Sequence, residues 1–458
     1  MTTAEYSNLV NSLRGAWSRG KTRDLRWRKN QLKALIALCT ENEDALAQAL
    51  HEDLRKPRQE AIVTDIYVNR AEAEHALQNL EYWVQPVHAS VPLALQPASA
   101  EYVYEPYGVT LIIAPWNFPV QLALQPLVAS IAAGNCAVVK PSELAPATSE
   151  QLAQLIPKYL DTECIAVVEG GVPETTALLE QRFDKIFYTG NGHVARIVMS
   201  AAAKHLTPVS LELGGKSPAF VDGSLSPELA ARRIAWGRFI NSGQTCVAPD
   251  YVLVERSHKA DLIQSLKKAV QEFYGEDPKA SSDFGRIISA RHFERLRGLL
   301  DSQPVAFGGD HDAEQRYIAP TVLDEPAADS PVMQEEIFGP ILPVLTYEKL
   351  EDAIQFVNER DKPLALYAFS KKKKVQRAIV EQTSSGGVLI NDTVMHLGAL
   401  ELPFGGVGES GMGSYHGIFG FQAFSMRRAV MNRATFVDVP LRYPPYSESK
   451  LTWVKRLL

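Results

Sequence analysis

The first part of the chain has a helical pattern of apolar positions. Between Asn30 and Leu50, apolar side chains recur at the spacing of one helix face: Leu32, Leu35, Ile36, Cys39, Leu46 and Leu50. A continuous stripe of this kind predicts helices that pack on another part of the molecule. We therefore expect the first 80 residues to form a helical layer.

From residue 108 the pattern changes to short, wholly apolar runs separated by helical segments. The runs lie at 109–114, 137–139, 165–168, 186–188 and 209–211, and the helical segments between them include 120–133, 148–159 and 193–204. This alternation predicts parallel βαβ units, whose strands are buried on both faces and therefore lack polar alternation. Ligands of such sheets bind beyond the carboxyl ends of the strands.

A second alternating region follows, with candidate strands at 251–254, 322–323, 342–344, 364–369 and 387–391. The helix before it has a clear start, because Ser226 is a plausible N-cap and Pro227 stands at the first helical position. This helix leads to the segment Asn-Ser-Gly-Gln-Thr-Cys that ends at Cys246. The pattern as a whole predicts an α/β protein with two α/β regions.

Composition narrows the class. The 458 residues are 46% apolar and 22% charged, which is typical of a folded protein with two or three domains. A net charge of −6 disfavours nucleic acid as a partner. No run is apolar enough for a membrane span or a signal peptide. The four cysteines contain no CxxC pair, so we expect neither a disulfide framework nor a metal site, and a cytoplasmic location.

Two segments after strands carry candidate polar groups. Asn117 lies between two prolines just beyond the first strand, where a rigid amide could donate to an oxygen that gains charge. It could equally form a simple turn with its own backbone. After the next strand, Lys140 and Glu143 could bind ribose hydroxyls, or could form a charge pair at the start of a helix.

Two further strand ends suggest a nucleotide phosphate and a general base. Gly190 and Asn191 open a helix, whose N–H groups favour a phosphate, although GxGxxG is missing. Glu212 lies between two leucines on a buried strand, so its pKa is raised or it is paired. A raised pKa suits a general base, whereas the alternative is an ion pair with Lys216.

Cys246 is the candidate nucleophile. Its approach is polar and contains glycine, as partly exposed reactive thiols require, whereas Cys39 and Cys136 lie in apolar patterns. Two later segments contain Glu336 with Phe338, and a glycine-rich run at 402–413; both could be turns or parts of a site.

Seven motifs, taken in their order along the chain, resemble the aldehyde dehydrogenase superfamily. They are PWNFP, KPSE, YTGN, LELGGKSP, GQTC, EEIFGP and LPFGGVGESGMGSYHG, and the resemblance extends from about Leu13 to Leu458. The KPSE and glycine-rich segments look most like the class 3 branch, which includes fatty aldehyde dehydrogenases.

The resemblance implies a fold and an assembly. A Rossmann-like cofactor domain would cover 1–85 and 107–212, and an α/β catalytic domain would cover 213–408. Residues 86–106 and 420–436 would form a β-strand oligomerisation arm that joins two subunits into a homodimer.

It also implies roles for the candidate residues. Cys246 would attack an aldehyde, Asn117 would hold the oxyanion, and Glu212 would activate water to hydrolyse the thioester. The cofactor would be NAD, NADP or both, bound by Trp116, Lys140, Glu143, Gly190, Asn191, Val194, Leu213, Glu336 and Phe338. Medium-chain, long-chain, aromatic or other apolar aldehydes would be substrates. The alternatives are an acyl transfer to coenzyme A or phosphate, and a silent binding protein on the same fold.

Overall fold

The computed structural model describes residues 2–457, and its first part is the expected helical layer. The helices are α1 (Thr3–Ser18), α2 (Leu25–Glu41), α3 (Glu43–Leu54), α4 (Arg58–Ala61) and α5 (Tyr67–Trp83). A π-helical turn at Ile62–Ile66 joins α4 to α5. The apolar stripe at 30–50 is divided between α2 and α3, because the chain breaks at Asn42, whose amide donates to Leu38 O (2.9 Å).

A six-stranded sheet follows the helical layer. Its strands are β3 (Val109–Ile113), β4 (Cys136–Lys140), β5 (Ile165–Val167), β6 (Lys185–Thr189), β7 (Val209–Glu212) and β17 (Gly411–Met412), in the order β17-β7-β6-β3-β4-β5. The first five are parallel. Helices α6 (Gln121–Ala133), α7 (Pro146–Tyr159), α8 (Val172–Leu179) and α9 (Gly192–Ala203) connect them. Every predicted strand and helix of this region is present.

A seven-stranded sheet occupies the second alternating region. Its order is β10-β13-β14-β9-β8-β15-β16: Val305–Phe307, Thr321–Asp324, Ile341–Tyr347, Tyr251–Glu255, Pro218–Val221, Ala365–Phe369 and Gly387–Ile390. Only β10 is antiparallel to its neighbour. Its helices are α10 (Pro227–Phe239), α11 (Lys259–Tyr274), α12 (Ala290–Leu300), α13 (Pro331–Gln334), α14 (Leu350–Asn358) and α15 (Lys373–Gln382). Ser226 caps α10 as predicted, since its side chain accepts from the Leu229 N–H.

The remaining elements lie mainly near the C-terminal part of the chain. They are β11 (His311–Asp312), β12 (Tyr317–Ile318), α16 (Gly417–Ala423), β18 (Ser425–Arg433) and α17 (Glu448–Leu457). In the described part of the chain, no helix combines the length and the apolar character that crossing a bilayer requires.

Three antiparallel strands form a separate small sheet. They are β1 (Val87–Ala89), β2 (Ala98–Pro106) and β18, in the order β1-β2-β18. Strand β18 pairs with all of β2, from Ser425 opposite Pro106 to Arg433 opposite Ala98. Strand β18 begins at Ser425, after the start of the predicted arm at 420–436, because residues 417–423 form α16. The two larger sheets with their connecting helices confirm the predicted α/β class. The exact domain bounds stay predictions.

Candidate active site

The carboxyl ends of four parallel strands meet at one edge of the six-stranded sheet. Ile113 pairs with both Lys140 and Tyr188, and Thr189 pairs with Glu212. The backbone N–H of Gly190 also donates to Glu212 O (3.0 Å). This alignment brings the segments after β3, β4, β6 and β7 together, as the sequence predicts.

Asn117 is buried beyond the end of β3 and reaches a distant part of the chain. Its side-chain Nδ2 donates to the carbonyl of Gln244 (3.0 Å), two residues before Cys246. The amide therefore contacts the cysteine segment and makes no hydrogen bond within its own turn. The turn interpretation of Asn117 is wrong for this structure.

The segment before Cys246 has a constrained backbone. Asn241 and Ser242 have φ values of +52° and +53°, in the left-handed region that side chains disfavour. Gly243 has φ +75°, and a Cβ there would lie 2.2 Å from the carbonyl oxygen of Gly339. Only glycine fits this position, so the path of the chain into Cys246 is tightly defined.

Gln244 fixes this segment from inside, a role that the sequence did not reveal. Its Nε2 donates to the carbonyls of Asn241 and Arg286 (both 3.0 Å), and its Oε1 accepts from the Ile288 N–H (3.0 Å). No local pattern marks a glutamine for such contacts, because its partners lie in other parts of the chain.

Cys246 differs from the other three thiols in its exposure. It is partly exposed, whereas Cys39, Cys136 and Cys164 are buried. Burial of the sulfur raises the pKa of Cys246 to about 12, and the carboxylates of Glu336 and Glu212 act in the same direction. The thiol is thus protonated at neutral pH, and a reaction as nucleophile requires that its proton be removed.

Glu212 ends strand β7 with an isolated carboxyl group. The residue is 2% exposed, and within residues 2–457 neither side-chain oxygen has a hydrogen-bond partner. Burial raises the pKa of Glu212 well above its ordinary value. The alternative ion pair with Lys216 is wrong, because that ammonium lies 2.5 Å from Asp250 instead.

The residues predicted to bind the adenosine ribose lie beside the end of β4. Lys140 Nζ donates to Glu143 Oε2 (2.9 Å) and to the carbonyl of Gly170 (2.8 Å). Lys140 is buried, whereas the Glu143 side chain is 43% exposed and so can reach a ligand in solvent. The charge pair foreseen as an alternative is present, and it leaves the Glu143 carboxylate accessible.

The turn after β6 forms the N-terminus of α9. A Cβ at Gly190 would lie 2.2 Å from the Tyr188 hydroxyl, so a side chain there would have to displace that ring. Asn191 is the N-cap, and its Oδ1 accepts from the Val194 N–H (3.0 Å). That N–H is consequently not free for a phosphate, and other N–H groups of this helix end would have to serve.

Glu336 and Phe338 lie across from the end of β7. The Oε1 atom of Glu336 has no hydrogen-bond partner among the described residues, and burial raises the pKa of Glu336 to about 8, with Asp250 acting likewise. A Cβ on Gly214 would lie 2.1 Å from this carboxylate, so a side chain there would displace the Glu336 carboxylate. The adjacent Leu213 is buried, and its N–H donates to Ser410 O (3.1 Å) in the glycine-rich segment.

An aromatic cluster closes this side of the site. The Phe338 ring lies edge-on to Trp116 with centroids 5.3 Å apart, and His292 of α12 lies 5.0 Å from Trp116. His292 was not predicted, since a single histidine in an amphipathic helix carries no local signal.

The structure thus joins a cysteine on a constrained loop, an amide donor and an isolated carboxylate. Such a set is suited to covalent catalysis through sulfur, with a stabilised oxyanion and a general base. The flanking elements offer the Glu336 carboxyl group, the Trp116 and Phe338 rings and the N-terminus of α9, which together fit a nucleotide cofactor.

The chain belongs to the aldehyde dehydrogenase family, whose profile matches residues 1–430. It is 50% identical to "Aldehyde dehydrogenase family 3 member B1" of Rattus norvegicus over 448 residues, 97% of this chain and 96% of that protein. It is 49% identical to "Aldehyde dehydrogenase, dimeric NADP-preferring" of Canis lupus familiaris over 455 residues, 98% and 99% of the two chains.

A solved structure agrees with this assignment. The substrate-bound state of Staphylococcus aureus AldH superposes with a TM-score of 0.96 at 43% identity, covering 100% of this chain and 99% of that one. The resemblance found in the sequence motifs is confirmed. The protein is an NAD(P)-dependent aldehyde dehydrogenase, related to family 3 members.

Proposed function

We propose that this enzyme oxidises apolar aldehydes to carboxylic acids through a thiohemiacetal and a thioester on Cys246. The observation that carries the proposal is the partly exposed thiol on a constrained loop, with Asn117 bonded to that loop and the Glu212 charge close enough to raise the thiol pKa. Sulfur attacks the carbonyl carbon after the thiol proton is lost, and the carbonyl oxygen becomes an oxyanion.

Two donors are available for that oxyanion. The Nδ2 atom of Asn117 and the backbone N–H of Cys246 would both point at the developing charge. Preorganised donors of this kind stabilise the tetrahedral state because they need no reorganisation during the reaction. Bound NAD(P) supplies the hydride acceptor for the oxidation.

Glu212 would activate the water that hydrolyses the thioester. Its carboxyl group has a raised pKa and no hydrogen-bond partner among the described residues, so its ionised form is a stronger base towards water than an ordinary carboxylate. A dehydrogenase that transfers its acyl group to coenzyme A or phosphate needs no such base, and a silent binding protein needs neither base nor thiol. Both alternatives are therefore disfavoured.

The residues around the strand ends fit a nicotinamide dinucleotide. Glu336 has a carboxylate oxygen without a partner among the described residues that could accept from a ribose hydroxyl, and side chains at Gly190 and Gly214 would displace the Tyr188 hydroxyl and this carboxylate. Lys140 and Glu143 would contact the adenosine ribose. Trp116, Asn191, Val194, Leu213 and Phe338 would line the cleft.

A cavity beside the cysteine loop supports an apolar substrate. It has a volume of about 350 Å³, and its apolar lining of Val63, Trp236, Ile240, Phe273 and Tyr274 is joined by the acidic Glu60 and Asp283 and the polar Gln59 and Thr64. Ile240 begins the segment that leads to Cys246, and Glu60 accepts from the Asn241 N–H (2.9 Å). Aromatic and aliphatic walls favour an alkyl or aryl tail over a charged one.

Replacing Cys246 with Ala tests the central step. The variant should lose oxidation of every aldehyde, because no other described thiol is exposed, while its Kd for NAD(P) stays near that of the wild type. Steady-state NAD(P)H formation and cofactor titration measure the two effects. Cys39→Ala is the matched control: it should lower Tm and leave kcat unchanged, since Cys39 is a core residue. Aldehyde oxidation by Cys246→Ala within about tenfold of the wild-type rate would contradict the covalent mechanism.

A further inference from the structure

A buried ammonium group lies beside Asn117, and the reaction described above does not use it. Lys56 and Asp65 both have fully buried side chains, and the Lys56 Nζ lies 2.5 Å from Asp65 Oδ2. The same Nζ donates to the backbone carbonyl of Asn117 (3.2 Å) and lies 4.1 Å from the centroid of the Phe118 ring. Burying two charges is costly, and a buried ion pair by itself is weak evidence of added stability.

Asp65 holds the other end of the loop that contains Asn117. Its Oδ1 accepts from the Gln121 N–H (3.2 Å) at the start of α6. Asp65 belongs to the π-helical turn at Ile62–Ile66, a local irregularity that is frequent at functional sites. The extra residue in this turn changes which side chains face the sheet, and Asp65 is among those that are buried.

The carbonyl of Asn117 accepts a second hydrogen bond from the cysteine segment. The donor is Asn241 Nδ2 (2.7 Å), whose own backbone N–H is bound by Glu60. Lys56 and Asn241 therefore hold one peptide group from opposite parts of the chain. The orientation of that peptide determines where the Asn117 side chain points.

We propose that Lys56 and Asp65 are a positioning pair that orients Asn117 for its role as oxyanion donor. The proposal rests on the proposed function of Asn117, and neither Lys56 nor Asp65 would touch the substrate. Loss of the Lys56 hydrogen bond would leave the Asn117 peptide held only by Asn241. A displacement of about 1 Å at such a group can slow a reaction roughly 100-fold.

The test replaces both charges, in the variant Lys56→Met/Asp65→Leu. Removing the pair together leaves neither Lys56 nor Asp65 as an unpaired buried charge, so this variant is expected to fold. We expect the rate of hydride transfer in a single turnover to fall at least about tenfold. The Kd for NAD(P) should stay unchanged, because the cofactor residues are not altered, whereas thioester hydrolysis should also slow, because it passes through an oxyanion at the same position. A wild-type rate of hydride transfer in this variant would overturn the proposal.

Lys185→Met is the matched control. Lys185 is also buried, at the opposite end of strand β6, and its Nζ donates to Ser210 Oγ (2.8 Å). This variant should alter Tm without slowing hydride transfer. If the double variant does not fold, Lys56→Arg allows the same measurement, because a longer planar group displaces the donor while keeping the charge.

A double-mutant cycle with Asn117→Ala separates the proposed oxyanion role of Asn117 from the proposed positioning role of Lys56 and Asp65. If Lys56 acts through Asn117, the changes at 56 and 65 should slow Asn117→Ala no further, whereas a purely structural role predicts that the losses multiply. If Asn117→Ala alone keeps the wild-type rate, the proposed oxyanion role fails. If Asn117→Ala is slow and the 56/65 variant is not, only the positioning proposal fails.

Discussion

At the scale of single residues, the environment of Glu212 sets the pH dependence that we expect from its proposed role as general base. The carboxyl group must be ionised to accept a proton from water, and burial raises its pKa, so the deacylation rate should rise as pH increases through that raised pKa. The same burial makes the free energy of unfolding fall as pH rises. Because the folded-state pKa lies above the unfolded value, the contribution of Glu212 to stability is lost as pH rises through the folded pKa.

Glu212→Gln should separate acylation from deacylation. The amide keeps the size of the side chain and cannot take a proton from water, so kcat should fall about 100-fold or more. Stopped-flow measurement should show a burst of NAD(P)H followed by a slow steady state. The steady-state rate of the variant should lack the rise with pH that Glu212 ionisation causes in the wild type. Coenzyme A should not restore turnover. Loss of the burst itself would mean that Glu212 acts earlier, on the Cys246 thiol.

Glu143 should influence the choice between NAD and NADP. Its carboxylate would favour a free 2′-hydroxyl and repel a 2′-phosphate, whereas the neighbouring Lys140 offsets part of this repulsion. We therefore expect both cofactors to be used, with NAD equal or somewhat preferred.

Glu143→Gln should shift the ratio of kcat/KM towards NADP. One charge at about 4 Å in water is worth about 1 kcal/mol, so the shift should be roughly fivefold. The ratio is measured with one aldehyde and both cofactors. Glu150→Gln, which alters an exposed glutamate on α7, is the control. A ratio that stays constant or moves towards NAD would show that Glu143 does not contact the adenosine ribose.

At the scale of elements, strand β18 exposes most of its length to solvent. Residues 426–432 are exposed along its length, including Met426, Val430 and Met431, and β18 forms one edge of its three-stranded sheet. An exposed edge strand with apolar side chains is suited to pair with another chain. We propose that β18 joins two subunits in a homodimer; a cytoplasmic location also stays a prediction.

The variant Val430→Lys/Met431→Lys tests this edge. Val430 pairs with Glu101 on β2, so a lysine there gains an opposite charge within its own sheet, while two such edges repel each other. Light scattering on the wild type should give twice the 50.5 kDa chain mass, and the variant should raise the dimer Kd at least about tenfold. Val172→Lys, at another exposed apolar position, should leave the dimer intact. A wild-type enzyme that is monomeric at micromolar concentration would contradict the assignment.

At the scale of the whole molecule, the site depends on contacts between distant parts of the chain. The helical layer supplies Lys56 and Asp65, the ends of strands in the first sheet supply Asn117 and Glu212, and the segment between α10 and β9 of the second sheet supplies Cys246. Asn117 meets Gln244 across 127 positions and Lys56 across 61. The catalytic arrangement therefore exists only when all three parts are assembled.

The sequence by itself determined most of the helices and strands and marked the residues of the proposed site. Apolar runs predict buried strands because burial on both faces excludes polar alternation, and the residues after those strands are marked by proline, glycine and charge. The polar, glycine-bearing approach distinguished Cys246 from the buried thiols. Each of these signals is local, within a few residues of the position it identifies.

Only the tertiary structure decided which groups are partners. Lys216 lies four positions from Glu212, yet it pairs with Asp250 and leaves Glu212 isolated. Lys56 lies in a charged segment of the sequence that the motifs leave without a role, yet it is buried against Asn117. The stripe at 30–50 predicts helix but not the break at Asn42. Local patterns record which positions are buried, whereas pairing depends on how separate elements pack, and a single sequence contains no direct record of that packing.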